Sequence, residues 1–176
     1  GRTSDLTAGS SGASDTPVLF FSRRIGLNNG RPVPIRAGGR VTGKAGRYTL
    51  GLLNIQSDDD AISSSVATNF SVARVKRDLG RRSYVGGIYT RRSVTTNGAG
   101  VGETFGIDSL YSASPSLNVT AFYARTRTPE LSGRDTSYRA LFDYNTDRYG
   151  AQFDHQYVGT NFNPEVGFLR RRDYKQ

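Results

Sequence analysis

The stretch YRALFDYNTDRYGAQFDHQY, residues 138–157, decides the class of fold because its apolar residues recur at every second position. Alternate positions, which share one parity and hence one face of a strand, are occupied first by Tyr138, Ala140, Phe142 and Tyr144. After the polar Thr146-Asp147, they are occupied by Tyr149, Ala151, Phe153, His155 and Tyr157. A period of two predicts two β-strands joined by a tight turn. A soluble sheet and a membrane barrel both show this alternation, so the hairpin alone leaves both open.

The same alternation continues along most of the chain and predicts an all-β protein. Predicted strands cover residues 35–44, 47–56, 67–77, 83–93, 103–113, 117–128, 136–145 and 148–158. About eight strands of roughly ten residues are longer than the five or six residues usual in soluble sheets, and they match the length of a membrane strand. No segment shows convincing helical periodicity.

The connections between the predicted strands alternate in length. Those at 45–46, 79–82, 114–116 and 146–147 are short, whereas those at 57–66, 95–102 and 129–135 and the stretch from 159 onward are long and polar. Short turns at one end and long loops at the other are typical of outer-membrane barrels. The pattern therefore favours an antiparallel up-and-down transmembrane β-barrel over a soluble sheet.

An open sheet in lipid would leave backbone groups without hydrogen bonds, so we expect this chain to be a segment of a larger barrel. Residues 35–176 would supply its hairpins. Residues 1–34 are predicted to form a flexible leader followed by an irregular extended segment, because they are rich in Ser and Gly and then carry Asn29-Gly30 and two prolines.

Composition limits the remaining classes. No run of about 18 apolar residues occurs, so no transmembrane helix is predicted. The chain has no Cys, hence neither a disulfide nor a thiolate site. The first fifteen residues show no apolar signal segment and no initiator Met, so we expect a mature product or an excised segment. The net charge of +9 suits anionic lipid, an acidic polymer or nucleic acid.

The parity of the opening hairpin gives the candidate site residues. Arg139, Asp143, Gln152 and Asp154 lie on the polar parity and are predicted to face a lumen. Tyr138, Tyr144, Tyr149 and Tyr157 lie on the apolar parity and are predicted to meet the membrane interfaces. The competing interpretation is that the four tyrosines are ordinary aromatic residues of a sheet.

Catalytic, cofactor and metal sites find no support in the sequence. The one histidine, His155, lies on an apolar parity without a nominated nucleophile. Asp58, Asp59 and Asp60 are consecutive, unlike the spaced ligands of a calcium loop. Paired basic residues, including 170–172, fall near predicted strand ends, where they can meet lipid phosphates; nucleic-acid binding would need them gathered on one surface and is not favoured.

Several phrases, taken together and in order, resemble a known family. They are FFSRRIGL, GKAGRYTLGLLNIQ, ATNFSVARVKRDL, GGIYTRRS, ARTRTP, SYRALFDYNTDRYG and NFNPEVGFLRRRD, from residues 20 to 173. The set resembles a bacterial outer-membrane β-barrel domain of unknown function that follows a carbohydrate-binding module of the family 9 type. The resemblance implies an outer-membrane location and an association with glycan, and it supplies no catalytic residues.

The sequence therefore predicts a passive protein of the bacterial outer membrane: a channel, receptor or surface scaffold linked to polysaccharide handling. Its expected partners are outer-membrane lipid, polysaccharide, and the barrel strands or envelope proteins that would complete the sheet. A soluble β-rich domain that binds glycan or nucleic acid stays open as the alternative, because of the positive charge and the tyrosine content. An enzyme is the least favoured class, since no acid and base pair can be nominated.

Overall fold

The computed structural model describes residues 16–28, 30–170 and 173–176. Most of the predicted flexible leader, residues 1–15, lies outside the described residues. So do Asn29 of the predicted turn and two members of the C-terminal basic cluster, Arg171 and Arg172.

Nearly all the regular secondary structure of the described chain is β-strand. The first elements are the single-turn helix α1 (Arg23–Gly26) and a small hairpin of β1 (Leu27–Asn28) and β2 (Arg31–Pro32). The long strands are β3 (Ile35–Ala45), β4 (Tyr48–Ser57), β5 (Thr68–Asp78), β6 (Tyr84–Arg92), β7 (Gly102–Ser114), β8 (Leu117–Arg127), β9 (Thr136–Asn145) and β10 (Gly150–Val158). The last element is β11 (Tyr174–Lys175).

The long strands form one antiparallel meander. Each strand from β3 to β10 pairs with its neighbour in sequence, and β11 adds a two-residue pairing to β10. The all-β antiparallel prediction is confirmed, and the eight predicted strands occur with bounds that differ by at most two residues. The described strands form an open sheet with β3 at one edge and β11 beside β10 at the other, so no closed barrel is seen.

The connections between the long strands keep the predicted alternation in length. The short turns therefore all lie at the same end of the strands, here called the turn edge. This turn edge includes Gly46-Arg47, where Gly46 has a φ of +57° that suits a two-residue hairpin, and the 146–149 turn, where Thr146 N donates to Tyr149 O at 2.8 Å. The long connections 58–67, 93–101 and 128–135 lie at the opposite edge, here called the loop edge.

Alternation along the strands gives the sheet two unlike faces. The inner face carries the parity of Arg74, Ile88 and Phe122, and many of its side chains are buried. The outer face carries the other parity, and its apolar side chains are largely exposed. The inner parity thus combines apolar core residues with buried mid-strand charges such as Arg74 and Asp108, whereas the outer parity is mainly apolar in mid-strand.

Two segments of the chain close the loop-edge half of the inner face. The N-terminal cover is residues 16–28 and the C-terminal cover is residues 159–170. They pair through Val18 and Phe168, whose backbone groups exchange hydrogen bonds of 3.0 and 2.7 Å. Against the sheet they form the hydrophobic core, which contains Leu19, Phe20, Ile25, Phe70, Val72, Ile88, Phe122, Ala124, Val158, Phe162 and Val166.

Glycine makes room for the covers on the inner face. A Cβ at Gly106 would collide with Leu19 Cδ1 and lie 3.0 Å from Ile88 Cγ2, and a Cβ at Gly102 would lie 2.6 Å from Glu165 Cγ. Glycine within a strand often marks such a close approach. The N-terminal cover can therefore pack against β7 only because Gly106 has no side chain.

We expect Gly106→Val to loosen the N-terminal cover and to lower the free energy of unfolding by about 1 to 3 kcal/mol, the usual cost of overpacking. Gly87→Val is the matched control, since Gly87 lies on the outer face of the adjacent strand and its Cβ would meet nothing closer than Gly106 O at 3.9 Å. Denaturant unfolding of both variants measures the difference. Equal stability of the two variants would contradict the packing of Leu19 against Gly106.

Candidate functional site

The outer face is the largest continuous apolar surface of the described sheet. Its exposed members include Val41, Leu50, Leu52, Val75, Val85, Phe105, Ile107, Tyr111, Tyr123, Phe142 and Phe153. Ile107 is 60% exposed in mid-strand and Phe153 is 71% exposed. Single exposed apolar residues are ordinary, but a patch that crosses eight strands marks an interaction surface.

Charged residues of the outer parity lie toward the ends of the strands. Arg77 is near the turn edge, and Arg91, Glu103, Arg125 and Arg127 are near the loop edge. Arg91 and Arg127 both pair in register with Glu103, so these charges neighbour one another. The apolar surface is therefore a band that lies between two charged margins.

The strands, with their charged ends included, are long enough to cross a bilayer. β10 has 9 residues and β7 has 13 residues. At about 3.3 Å per residue and a tilt of about 40°, these strands extend about 23 to 33 Å along the normal to the band. The hydrocarbon thickness of a bilayer, about 25 to 30 Å, falls in that range.

Three of the four predicted interface tyrosines, Tyr138, Tyr144 and Tyr157, lie on the outer face, and the fourth, Tyr149, lies in the turn between β9 and β10. Tyr138 and Tyr157 face each other across β9 and β10, with ring centroids 5.3 Å apart, on the loop-edge side. Tyr144 lies at the turn edge beside the turn that carries Tyr149, which is 75% exposed. The His155 ring lies 5.8 Å from the Tyr138 ring on the same face.

All four predicted lumen residues lie on the inner face, and the structure brings two of them together. Arg139 donates to Asp154 from Nε at 2.8 Å and from Nη2 at 2.6 Å, and its Nη1 donates to Thr16 of the N-terminal cover at 2.9 Å. Asp143 and Gln152 pair in register nearer the turn edge, beyond the covers. Arg139 is thus a buried anchor for the cover, whereas Gln152 is exposed.

An ion pair that is buried on both sides was not predicted from the sequence. Arg74 of β5 and Asp108 of β7 contact each other through two hydrogen bonds, of which the one between Nη2 and Oδ2 measures 2.8 Å. Both side chains are almost completely buried. Gly86 on the intervening strand makes this possible, because a Cβ there would lie 2.8 Å from Arg74 Nη2. The sequence signal that could have indicated this pair is Arg74, a charged residue in mid-strand on the same parity as Phe70 and Val72.

Glu165 of the C-terminal cover is a further buried charge, and it too was missed because its segment has no periodicity. Its carboxylate accepts from Thr96 N at 3.1 Å and from Asn163 Nδ2 at 2.8 Å. Arg92 Nη1 lies 3.4 Å from Glu165 Oε2, and the Arg92 side chain is 15% exposed. This contact ties the cover to the 93–101 connection at the loop edge.

In the acidic tip of the 58–67 connection, the Asp60 side chain caps the backbone of the local turn. Asp60 Oδ2 accepts from Ser63 N at 2.7 Å, and this bond holds the pKa of the Asp60 carboxyl below its usual value of 3.8. No group of three or more residues able to hold a metal ion occurs within the described part of the chain. Within the same part, no helix has the length and apolar character needed to cross a membrane.

Comparison of the chain with protein-family models, with curated proteins and with solved structures finds no match in any of the three.

We expect Asp108→Asn to cost about 3 to 5 kcal/mol of the free energy of unfolding, because it leaves the Arg74 guanidinium buried without a counter-charge. Asp78→Asn is the comparison, since Asp78 pairs with Lys44 at 3.2 Å in an exposed position, where a pair contributes about 1 kcal/mol or less. Urea unfolding of both variants gives the values. Similar losses in the two variants would contradict the assignment of Arg74 and Asp108 as a structural pair.

Proposed function

We propose that the chain is a membrane-spanning segment of a β-barrel in the bacterial outer membrane, and that its outer face contacts lipid. The observation that carries this proposal is the apolar band of the outer face, bounded by charged margins. Such a band would be costly to expose to water but stable against acyl chains. The ordered resemblance of residues 20–173 to a family of outer-membrane barrel domains supports the same proposal.

The polar residues of the inner face also support the proposal. In a barrel of this kind, lumen-facing residues are polar, and the lumen is filled by water, loops or a plug. Here the inner face carries the Arg74–Asp108 and Arg139–Asp154 pairs, and the two covers lie against it. A soluble sheet with one buried face leaves its polar face in water, whereas here mid-strand charges share the inner face with the core and the outer face is mainly apolar.

The open edges mean that further strands must complete such a barrel. Within the described residues, β3 pairs on one side only, with β4, and β10 has backbone partners on its outer side only at its C-terminal end, through β11 and Gln176. Backbone groups cannot stay unpaired in hydrocarbon. We propose that the missing strands come from the rest of the same polypeptide or from another envelope protein.

The covered inner face favours a receptor or surface scaffold over an open channel. The covers occupy the loop-edge half of the inner face, so this segment contributes no free passage there. We propose that the long connections face the outside of the cell, where they would meet polysaccharide, and that the short turns face the periplasm. Basic residues at the turn edge, among them Arg47 and Arg77, would then lie level with lipid phosphates.

We expect a tryptophan on the outer face to be quenched by brominated phospholipids once the chain, together with the strands that complete the barrel, is reconstituted in vesicles. The chain contains no Trp, so Ile107→Trp gives a single fluorescent probe in mid-strand. Ile62→Trp is the matched control, because Ile62 is 73% exposed but lies in the 58–67 connection. The proposal predicts strong quenching and blue-shifted emission at position 107 and little quenching at position 62.

The alternative, a soluble β-rich binding domain for glycan or nucleic acid, makes the opposite prediction. Such a protein would stay monodisperse without detergent, and neither tryptophan would be quenched by the brominated lipid. That result would overturn the membrane proposal.

A further inference from the structure

A cavity of about 220 Å³ lies at the loop edge, between the N-terminal cover, the 58–67 connection and the ends of β5 and β6. Its lining includes Arg24 of α1, Arg92 of β6 and the Phe70 ring. The cavity is smaller than the usual site for a drug-sized ligand and has room for about one monosaccharide. It opens beside the long connections and is separate from the outer face.

The charge of the cavity lining is positive. Among the described residues that line it, Arg24 and Arg92 are charged and no carboxylate is present. Glu165 lies behind Arg92 but already accepts hydrogen bonds from Thr96 and Asn163, and its contact with Arg92 is long, at 3.4 Å. The positive charge at this place is therefore only partly compensated.

Arg92 also has a donor that the described residues leave unused. Its Nε is buried and has no hydrogen-bond partner within the described part of the chain. The guanidinium carbon lies 5.4 Å from the centre of the Phe70 ring, which holds the planar group over the aromatic face. Because this Nε is enclosed by protein atoms, a ligand in the cavity could reach Arg92 only through its Nη groups.

The rest of the lining is rich in hydroxyl groups. The lining residues include Ser64, Ser65, Thr95, Thr96 and Asn28. Thr96 Oγ1 already donates to Glu165 and Asn28 Nδ2 to Ser63 O, so these side chains offer mainly acceptor oxygens to a ligand. Hydroxyl and amide groups can donate and accept, so they suit a ligand that carries several hydroxyls. The guanidinium groups suit a carboxylate, because a planar fork of donors matches its two oxygens.

We propose that this cavity binds a small hydroxylated carboxylate of the size of one sugar unit, such as a uronate. Arg24 and Arg92 would hold the carboxylate, and the serine and threonine hydroxyls would hold the ring hydroxyls. The proposal does not depend on the membrane assignment, because the cavity lies between the inner face and the chain's own cover.

Titration calorimetry of the full chain with sodium glucuronate tests the proposal, with glucose as the neutral probe of the same shape. Arg24→Gln is the main variant, since the Arg24 side chain is exposed at the cavity and its loss leaves no buried charge alone. We expect about a tenfold loss of glucuronate affinity in this variant, the effect of one charge-assisted contact. Wild-type protein should bind glucuronate at least about tenfold more tightly than glucose.

Arg23→Gln is the matched control because it removes the same charge from the neighbouring residue of α1, which does not line the cavity. Its affinity for glucuronate should equal that of the wild type. The proposal is overturned if wild-type protein does not bind glucuronate, if glucose binds as tightly, or if Arg23→Gln and Arg24→Gln change the affinity equally. Membrane insertion is measured separately by the brominated lipids, so failure of one proposal leaves the other testable.

Discussion

Burial of charge on one face of the sheet is the constraint on which the rest of the structure depends. Arg74 of β5 and Asp108 of β7 lie two strands apart, with only Gly86 of β6 between them. Taking two charges out of water is costly unless each is paired and hydrogen-bonded. The pairing fixes the inner parity of these strands, because a shift of one residue would move both charges to the apolar band.

The covers follow from the same constraint. Arg139 contacts both Asp154 and Thr16, so one guanidinium joins β9, β10 and the N-terminal cover. Glu165 joins the C-terminal cover to Thr96 and Arg92 at the loop edge. With its polar face occupied by the chain itself, the sheet presents the apolar band to its surroundings. The proposed lipid contact and the proposed carboxylate cavity therefore use opposite faces and do not compete.

The sequence allowed the strands to be predicted, because alternation with a period of two is a local property and the polar connections interrupt it clearly. The shared face of Arg139 and Asp154 followed from parity alone, but their contact required the register of β9 against β10. The Arg74–Asp108 pair spans 34 residues of sequence and required two registers. Neither cover could be predicted, because residues such as Leu19 and Glu165 lie in segments without periodicity. The proposed closure into a barrel would depend on strands beyond the open edges, which no pattern within this chain specifies.

Side-specific labelling of single cysteines in intact bacteria tests the central claim most directly, namely that the two edges of the sheet lie on opposite sides of the outer membrane. The chain has no native cysteine, so Asp59→Cys in a long connection and Asp147→Cys in a short turn each give one exposed thiol. The account predicts that a membrane-impermeant maleimide labels position 59 in intact cells, and position 147 only after the outer membrane is permeabilised. Equal labelling of both positions in intact cells would contradict it.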